Sequence, residues 1–589
     1  MSYRLPELLQ EFFVPVWEQV RLTESEVRLV DHPAFARLSD IYQLGQTYLV
    51  FRGATHKRWE HALGTLHAAQ VIVSALERNH REAESKNRDP LTGRWRRGPA
   101  PFPQEVAFIR LAALLHDIGH LAAGHTFEDE LGLLDKHDAD QRLNYVLDRK
   151  VWRGVEEPMT LRELIDSEYA AAAEATRLGI APSQVFLELV SKTRQGPANR
   201  HDGMPARVQV KSTPQFRIEV CRDIVGNTIC ADLLDYLQRD WHHLGKQRPF
   251  DSRLLDYFEI RENSEADADA HLVVNLREAS EVRGDAVTAI FELLESRYQL
   301  GEVALFHRTK LTASAMLERL VAEMADAAGD PSWLANQLDR LLESSDEEMI
   351  ERLLELGEEI AKERGGRVAQ RVRSVFGIGR ALRYRQLYKQ VVAFKSFELT
   401  SSLTFVRDGY GGAAGSTNRL AACRSLETDF QLPRASVVMY CPAKVPHAKI
   451  ARVQVLIHGQ LDELANLEED RNDPAMTSGL LAAQRKRFEG LWRVQVSVSP
   501  EARQQLRKQH ILSDFERTVE SLILRAHRGS SKPEDIAWEL AEKLLANEDF
   551  DTGDKVLAPA GDIHARDTGA RMYLTGAPTL SSLMVPPSG

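Results

Sequence analysis

EVAFIRLAALLHDIGH, residues 105–120, decides the fold. Apolar side chains recur at three-to-four spacing through 105–115, which predicts a helix. That helix ends on two adjacent ionisable residues, His116 and Asp117. Burying both is costly unless they are paired or hold a metal. Gly119 then lets the chain turn or pack closely. The His-Asp pair recurs at 137–138 and 201–202, in polar surroundings. Those copies read as ordinary surface or supporting residues.

The helical period continues in 218–237, 286–294, 311–327 and 333–360, so residues 1–390 are predicted mostly helical. Polar segments at 80–103 and 194–214 read as loops. Beyond residue 390, alternating β-branched stretches at 435–441, 450–457 and 491–498 predict strands. A charged helical stretch, 500–546, follows. The expected organisation is mostly α: a helical domain over 1–390, a smaller α+β lobe over 391–550, and a flexible tail over 551–589.

The chain has 589 residues, 43% of them apolar, ample for a buried core. Its net charge of -11 argues against wholesale binding to nucleic acid or an anionic membrane. The run Arg94-Trp95-Arg96-Arg97 has the chemistry of a single-strand contact, but a solvated loop is the expectation. The four cysteines form no C-x-x-C pair and read as reduced thiols. With no signal-peptide core and no apolar run of membrane-spanning length, the sequence is read as cytoplasmic.

A metal site needs more ligands than His116 and Asp117. His61 lies in HKRWEHALGTLHAAQVIVSAL, a helix with an apolar face, and Asp232 in CADLLDYLQRDWHHLG. On that second helix Asp232, Tyr236, Arg239 or Asp240, and His243 fall on one side. Two imidazoles and two carboxylates suit one divalent ion such as Mn, Fe, Mg, Co or Zn. Buried His–Asp hydrogen-bonded pairs are the plainer alternative.

Three motifs in order, RWEHALG at 58–64, HDIGHLAAGHTFE at 116–128 and DLLDYLQRDWHHLG at 232–245, resemble the dNTP triphosphohydrolases of the HD superfamily. That family includes bacterial dGTPases and the animal SAM- and HD-domain dNTPase. The resemblance covers roughly 25–325 and is weaker again over 430–500. It implies a helical HD-domain core and metal ligands His61, His116, Asp117 and Asp232. It also implies a catalytic pair, His125 with Glu128, and a contact from His120 to the bond being broken. Gln43 and Leu44 match the pair that reads the 3'-hydroxyl and crowds out a 2'-hydroxyl. Tyr236 and Asp240 match sugar contacts, and Arg58 and Arg297 match phosphate-binding arginines. His137 matches a further active-site histidine.

The resemblance implies conversion of a dNTP to deoxynucleoside and triphosphate. It further implies a nucleotide effector, a homo-oligomer, and a role in dNTP-pool control or antiviral nucleotide depletion. This chain departs from the pattern where Leu233, Gly301 and Leu305 replace a lysine, a histidine and a tyrosine. Asp31 matches an acid of the animal enzyme's activator site, but its companions there are Ala36 and Ser39. The rival expectations are an HD-type 5'-nucleotidase and a nucleotide sensor without turnover.

Overall fold

The computed structural model describes residues 3–85, 95–191, 210–263, 270–278, 281–399, 402–442, 454–457, 460–463 and 478–524. The fold is mostly helical with small sheets and a smaller α+β region. Its centre is the pair of helices Arg58–Ser85 and Pro103–Leu115. Phe108, Ile109, Leu111, Leu114 and Leu115 on the second are fully buried. An all-round apolar helix has no solvent face and must be enclosed by others.

The helix Ala231–His243 packs across the first turns of Arg58–Ser85. Gly64 makes this possible. A Cβ there would sit 1.9 Å from Asp235 Oδ1 and 2.3 Å from Arg239 Nη2. Only a residue without a side chain admits that approach.

Two predicted helices are each interrupted. The 218–237 stretch splits into Ile218–Gly226 and Ala231–His243. The 333–360 stretch breaks into Leu338–Leu342 and Asp346–Arg364, the latter opened by a Ser345–Glu348 capping box. Periodicity persists across a short break, so the pattern alone does not show it.

Four unforeseen strands join the expected Gln454–Ile457 in a five-stranded sheet. Its order is Gln460–Glu463, Gln454–Ile457, Ala270–Asn275, Phe258–Asn263, Trp95–Arg97. Trp95–Arg97 thus pairs with Phe258–Asn263 instead of lying in a loop, and Arg97 is bonded to Glu259 at 2.5 Å. A hairpin of Gln10–Val14 and Glu18–Leu22 was also unforeseen. The strands expected near 435–441, 450–457 and 491–498 appear as Val437–Tyr440, Gln454–Ile457 and Arg493–Val498. Helices Pro500–Lys508 and Leu512–Leu524 follow. The second part of the expected 500–546 helix, the 551–589 tail, the His201–Asp202 pair and most of the 194–214 loop lie outside the described residues.

Two apolar cores result. The large one holds most of the helical region, together with Ala435, Val438, Tyr440 and Val455. The smaller gathers Val392, Val406, Trp492, Val494, Val496, Phe515 and Ile523 among others. Helix Arg308–Ala328 joins them through buried ion pairs. Arg319 bonds Glu323 and Glu427, and Arg424 also bonds Glu323. Removing one member of such a set leaves a buried charge uncompensated, a cost of about 3–5 kcal/mol. Among the described residues no helix is long and apolar enough to cross a membrane.

Candidate metal centre

His61 sits in the first turn of Arg58–Ser85, His116 and Asp117 follow Pro103–Leu115, and Asp232 opens Ala231–His243. The packing of these helices brings candidate ligand atoms of His61, His116 and Asp232 into one cluster, with Asp117 at its edge, grouped with His120 and His137. His61 Nε2 lies 3.2 Å from His116 Nε2 and 3.3 Å from Asp232 Oδ1. His116 Nε2 lies 3.4 Å from Asp117 Oδ1 and 3.7 Å from Asp232 Oδ1. Asp117 Oδ2 stands 3.8 Å from His61 Nε2.

The opposite atoms of three ligands are occupied. His61 Nδ1 faces Asp235 Oδ2 at 2.7 Å, and His116 Nδ1 faces the Ala113 carbonyl at 2.9 Å. A carbonyl only accepts, so His116 Nδ1 donates and Nε2 keeps its lone pair toward the cluster. Asp117 Oδ2 accepts from Arg58 Nη1 at 2.5 Å. Asp235 is itself gripped by Arg239 at 2.7 and 2.9 Å and by Trp17 Nε1 at 2.6 Å. Carboxylate–imidazole and carbonyl–imidazole pairs of this kind orient metal ligands.

Electrostatics agree with that reading. Burial would raise Asp117, but His116, His120 and Arg58 outweigh it and hold the carboxyl well below the usual range. His116 and His61 likewise overcome burial at Asp232. Arg239 and His61 draw Asp235 down to about 2 against its burial. Burial disfavours a charged His61, yet Asp232 and Asp235 lift it to about 10. Two carboxylates held ionised beside imidazole nitrogens at such distances are a donor set that suits a divalent cation. The residues present therefore fit one divalent ion with two nitrogen and two oxygen donors.

Beside the quartet lies a second histidine group. His120 and His137 stack with ring centroids 3.5 Å apart. His137 Nε2 and His120 Nε2 approach Asp117 Oδ1 at 3.6 and 3.4 Å. His120 is buried, and neither of its ring nitrogens finds a hydrogen-bond partner among the described residues. Burial, Arg58 and His137 keep it well below the ordinary histidine range, so it stays neutral. His137, expected as a supporting residue from its polar surroundings, is instead part of the site. The signal in the sequence was its match to a family histidine.

The expected His125–Glu128 pair is not what forms. His125 Nδ1 bonds Asp129 Oδ2 at 2.9 Å. Glu128 is fully buried, faces His137 Nδ1 at 3.2 Å and accepts from Arg142 Nη1 at 3.2 Å. The cause is local: Thr126–Glu130 is a wide π-turn that begins right after His125. It leaves His125 facing the acid four residues on and turns Glu128 inward. His125 still meets the His120 ring edge-on at 4.7 Å.

On the substrate side, Arg58 Nη2 reaches the Gln43 carbonyl at 3.3 Å, which places Gln43 and Leu44 next to the quartet. Both are buried, and Gln43 Oε1 has no hydrogen-bond partner among the described residues. Tyr236 and Asp240 lie one and two turns along from Asp232. Burial raises the Tyr236 hydroxyl despite the opposing charge of Arg297. Asp240 is held by His56 at 2.8 Å, and His56 stacks on His243 at 4.3 Å. Arg239, one of two residues expected on the Asp232 face, turns away to Asp235. Leu233 is buried, and the Cβ position of Gly301 faces Leu491 at 3.4 Å.

No family model matches the chain. Curated relatives do. It is 30% identical over 258 residues to the deoxynucleoside triphosphate triphosphohydrolase SAMHD1 of Gallus gallus, covering 43% of this chain and 37% of that protein. With the Homo sapiens protein of the same name it shares 27% over 239 residues, 40% of this chain and 34% of that one. A Dictyostelium discoideum homologue is 25% identical over 343 residues, 55% and 52% of the two chains. The chain thus spans little more than a third of the length of the first of these relatives. A phosphohydrolase structure from Bacteroides thetaiotaomicron aligns over 83% of this chain and 100% of its own, at 15% identity and a TM-score of 0.48. Over roughly two fifths of its length, the chain is thus similar to curated deoxynucleoside triphosphate triphosphohydrolases.

Proposed function

We propose that the chain hydrolyses a deoxynucleoside triphosphate to deoxynucleoside and triphosphate at the quartet His61, His116, Asp117 and Asp232. The observation that carries this reading is the cluster of His61, His116 and Asp232 with Asp117 at its edge, beside His120, His125 and the unbonded Gln43 oxygen. A divalent ion held there would supply Lewis-acid polarisation of a phosphoryl oxygen and lower the pKa of a water.

The chain's own groups do the rest. Water adds to the α-phosphorus, the bond to O5' breaks, and O5' must gain a proton. His125 Nδ1 is tied to Asp129, which leaves Nε2 to deliver that proton. Neutral His120 offers an N–H toward the phosphate without adding charge. Arg58 and Arg297 neutralise the polyphosphate, Arg58 sharing its guanidinium with Asp117. Gln43 Oε1 accepts from a sugar hydroxyl, and Leu44 fills the space a 2'-hydroxyl would need.

A sensor without turnover draws support from Leu233, Gly301 and Leu305, which take away a charge and two ring contacts. One experiment separates the readings. Purified protein is incubated with each dNTP, each dNMP and Mn, Mg, Fe, Co or Zn, and the products are resolved by ion-exchange chromatography. Deoxynucleoside plus triphosphate is the expected outcome. Phosphate released from dNMPs would replace it with a 5'-nucleotidase, and tight binding with no product would replace it with a sensor.

A further inference from the structure

The segment that carries Gln43 and the turn that leads into His125 are held together from a third place in the chain. Asp346 lies in the first turn of Asp346–Arg364, far from both in sequence. Its Oδ2 accepts from the Tyr42 backbone N–H at 2.6 Å, and its Oδ1 accepts from the Ala123 N–H at 2.9 Å. The residue is buried. We infer that Asp346 is a positioning residue: its carboxylate fixes the Gln43 segment against the Leu121–Gly124 turn, and so sets sugar recognition and proton delivery relative to one another.

Three observations support this. First, the helix does not need Asp346 as a cap. Ser345 Oγ accepts from Glu348 N at 3.1 Å, and Glu348 Oε2 accepts from Ser345 N at 3.1 Å. Second, Ala123 has φ of +49°, a left-handed conformation that costs a non-glycine residue energy and persists only where surroundings impose it. The bond from Asp346 is on that residue's own N–H. Third, the neighbouring Glu347 takes the Tyr42 hydroxyl, and Lys57 lies 3.7 Å over the Tyr42 ring and 3.4 Å from Glu347. The helix start thus grips Tyr42 twice.

Ionising this carboxyl works against the fold. Burial pushes it up to about 6, although the two amides and the charges of Lys57 and Arg58 pull the other way. Tyr42, Tyr48 and Glu347 also face it, and none of them adds positive charge. The sign follows from linkage. Below the ordinary carboxylate range the penalty is absent; it grows as pH rises and is fully felt above about 6. A group that costs stability when charged, yet receives two backbone donors, is placed for its effect on the segments it holds.

The consequence for turnover rests on the proposed function; the geometry does not. The test has two arms. In the first, backbone hydrogen exchange is followed in peptides covering 41–47 and 119–125, without nucleotide, in wild type and Asp346→Asn. Both segments should lose protection together in the variant. The difference in protection between wild type and variant should shrink between pH 7.5 and 5.5, after correction for intrinsic exchange, because the wild type then carries a neutral side chain too. Unchanged protection in either comparison overturns the inference. This arm stands even if no dNTP is hydrolysed, an outcome that would sink only the proposed function. In the second arm, kcat/KM of wild type is divided by that of Asp346→Asn across pH 5–8.5. The ratio should be roughly tenfold or more at high pH, as misplaced groups imply. It should fall toward one below pH 6, where wild type is protonated. A ratio that stays constant with pH marks Asp346 as merely structural.

Discussion

Two regions of the same site are built in opposite ways. In the quartet, His61, His116 and Asp117 are each backed by a partner on the far side, and Asp235 is backed in turn by Arg239 and Trp17. Around Gln43 and His120, the Gln43 Oε1 has no hydrogen-bond partner among the described residues, and the His120 nitrogens meet carboxylate oxygens only at 3.4 Å. An unsatisfied buried group costs about 1–3 kcal/mol. The first region is therefore finished before a ligand arrives, while the second is left for a ligand to finish. Preorganised charge on one side and unpaired donors and acceptors on the other is how binding energy is directed to one orientation of a substrate.

The contrast can be broken at its strongest point first. Asp232→Ala removes a proposed ligand that no other carboxylate duplicates in the His61–His116–Asp232 cluster among the described residues. Metal content by mass spectrometry should fall to background, and turnover by roughly 100-fold or more; a fully loaded variant would end the ligand assignment. His125→Ala lies across the divide. It should keep its metal and lose about 100-fold in kcat, the range for a lost proton donor. Loss of metal in that variant would mean the two regions are not separate.

Asp235→Asn tests whether the backing matters. Metal affinity, measured by competition with a chelator, should weaken by about 10- to 100-fold. Unchanged affinity would show that His61 needs no orienting partner. The smallest effect separates the two acids beside His125. Asp129→Asn should lower kcat several-fold, short of the roughly 100-fold of a lost donor. Glu128→Gln should instead lower the melting temperature, since Glu128 is buried between His137 and Arg142. Reversed outcomes would restore the His125–Glu128 pair.

The proposed quartet could be named from the sequence because its four residues sit in three motifs with fixed order, and the helices bring His61, His116 and Asp232 together with Asp117 at their edge. The His125 partner was not. Motif spacing assumes a regular turn, and the π-turn at Thr126–Glu130 moves the register by about one residue. Asp346 was invisible for another reason. In the run Ser344-Ser345-Asp346-Glu347 it reads as an ordinary acidic helix start, and its two partners lie hundreds of residues away. Most of the five-stranded sheet escaped because its strands are short and two of its pairings, Trp95–Arg97 with Phe258–Asn263 and Ala270–Asn275 with Gln454–Ile457, join distant segments, whereas the helical period is local.

That sheet also sets a schedule. Val455 pairs in parallel with Val274, so the edge of Ala270–Asn275 waits for a strand synthesised about 180 residues later. At about 5–20 residues per second, the ribosome leaves that edge open for roughly 10–40 seconds. An open edge is a template for pairing with another chain. Each nascent molecule therefore passes through an interval in which the Ala270–Asn275 edge has no partner strand and is open to its neighbours.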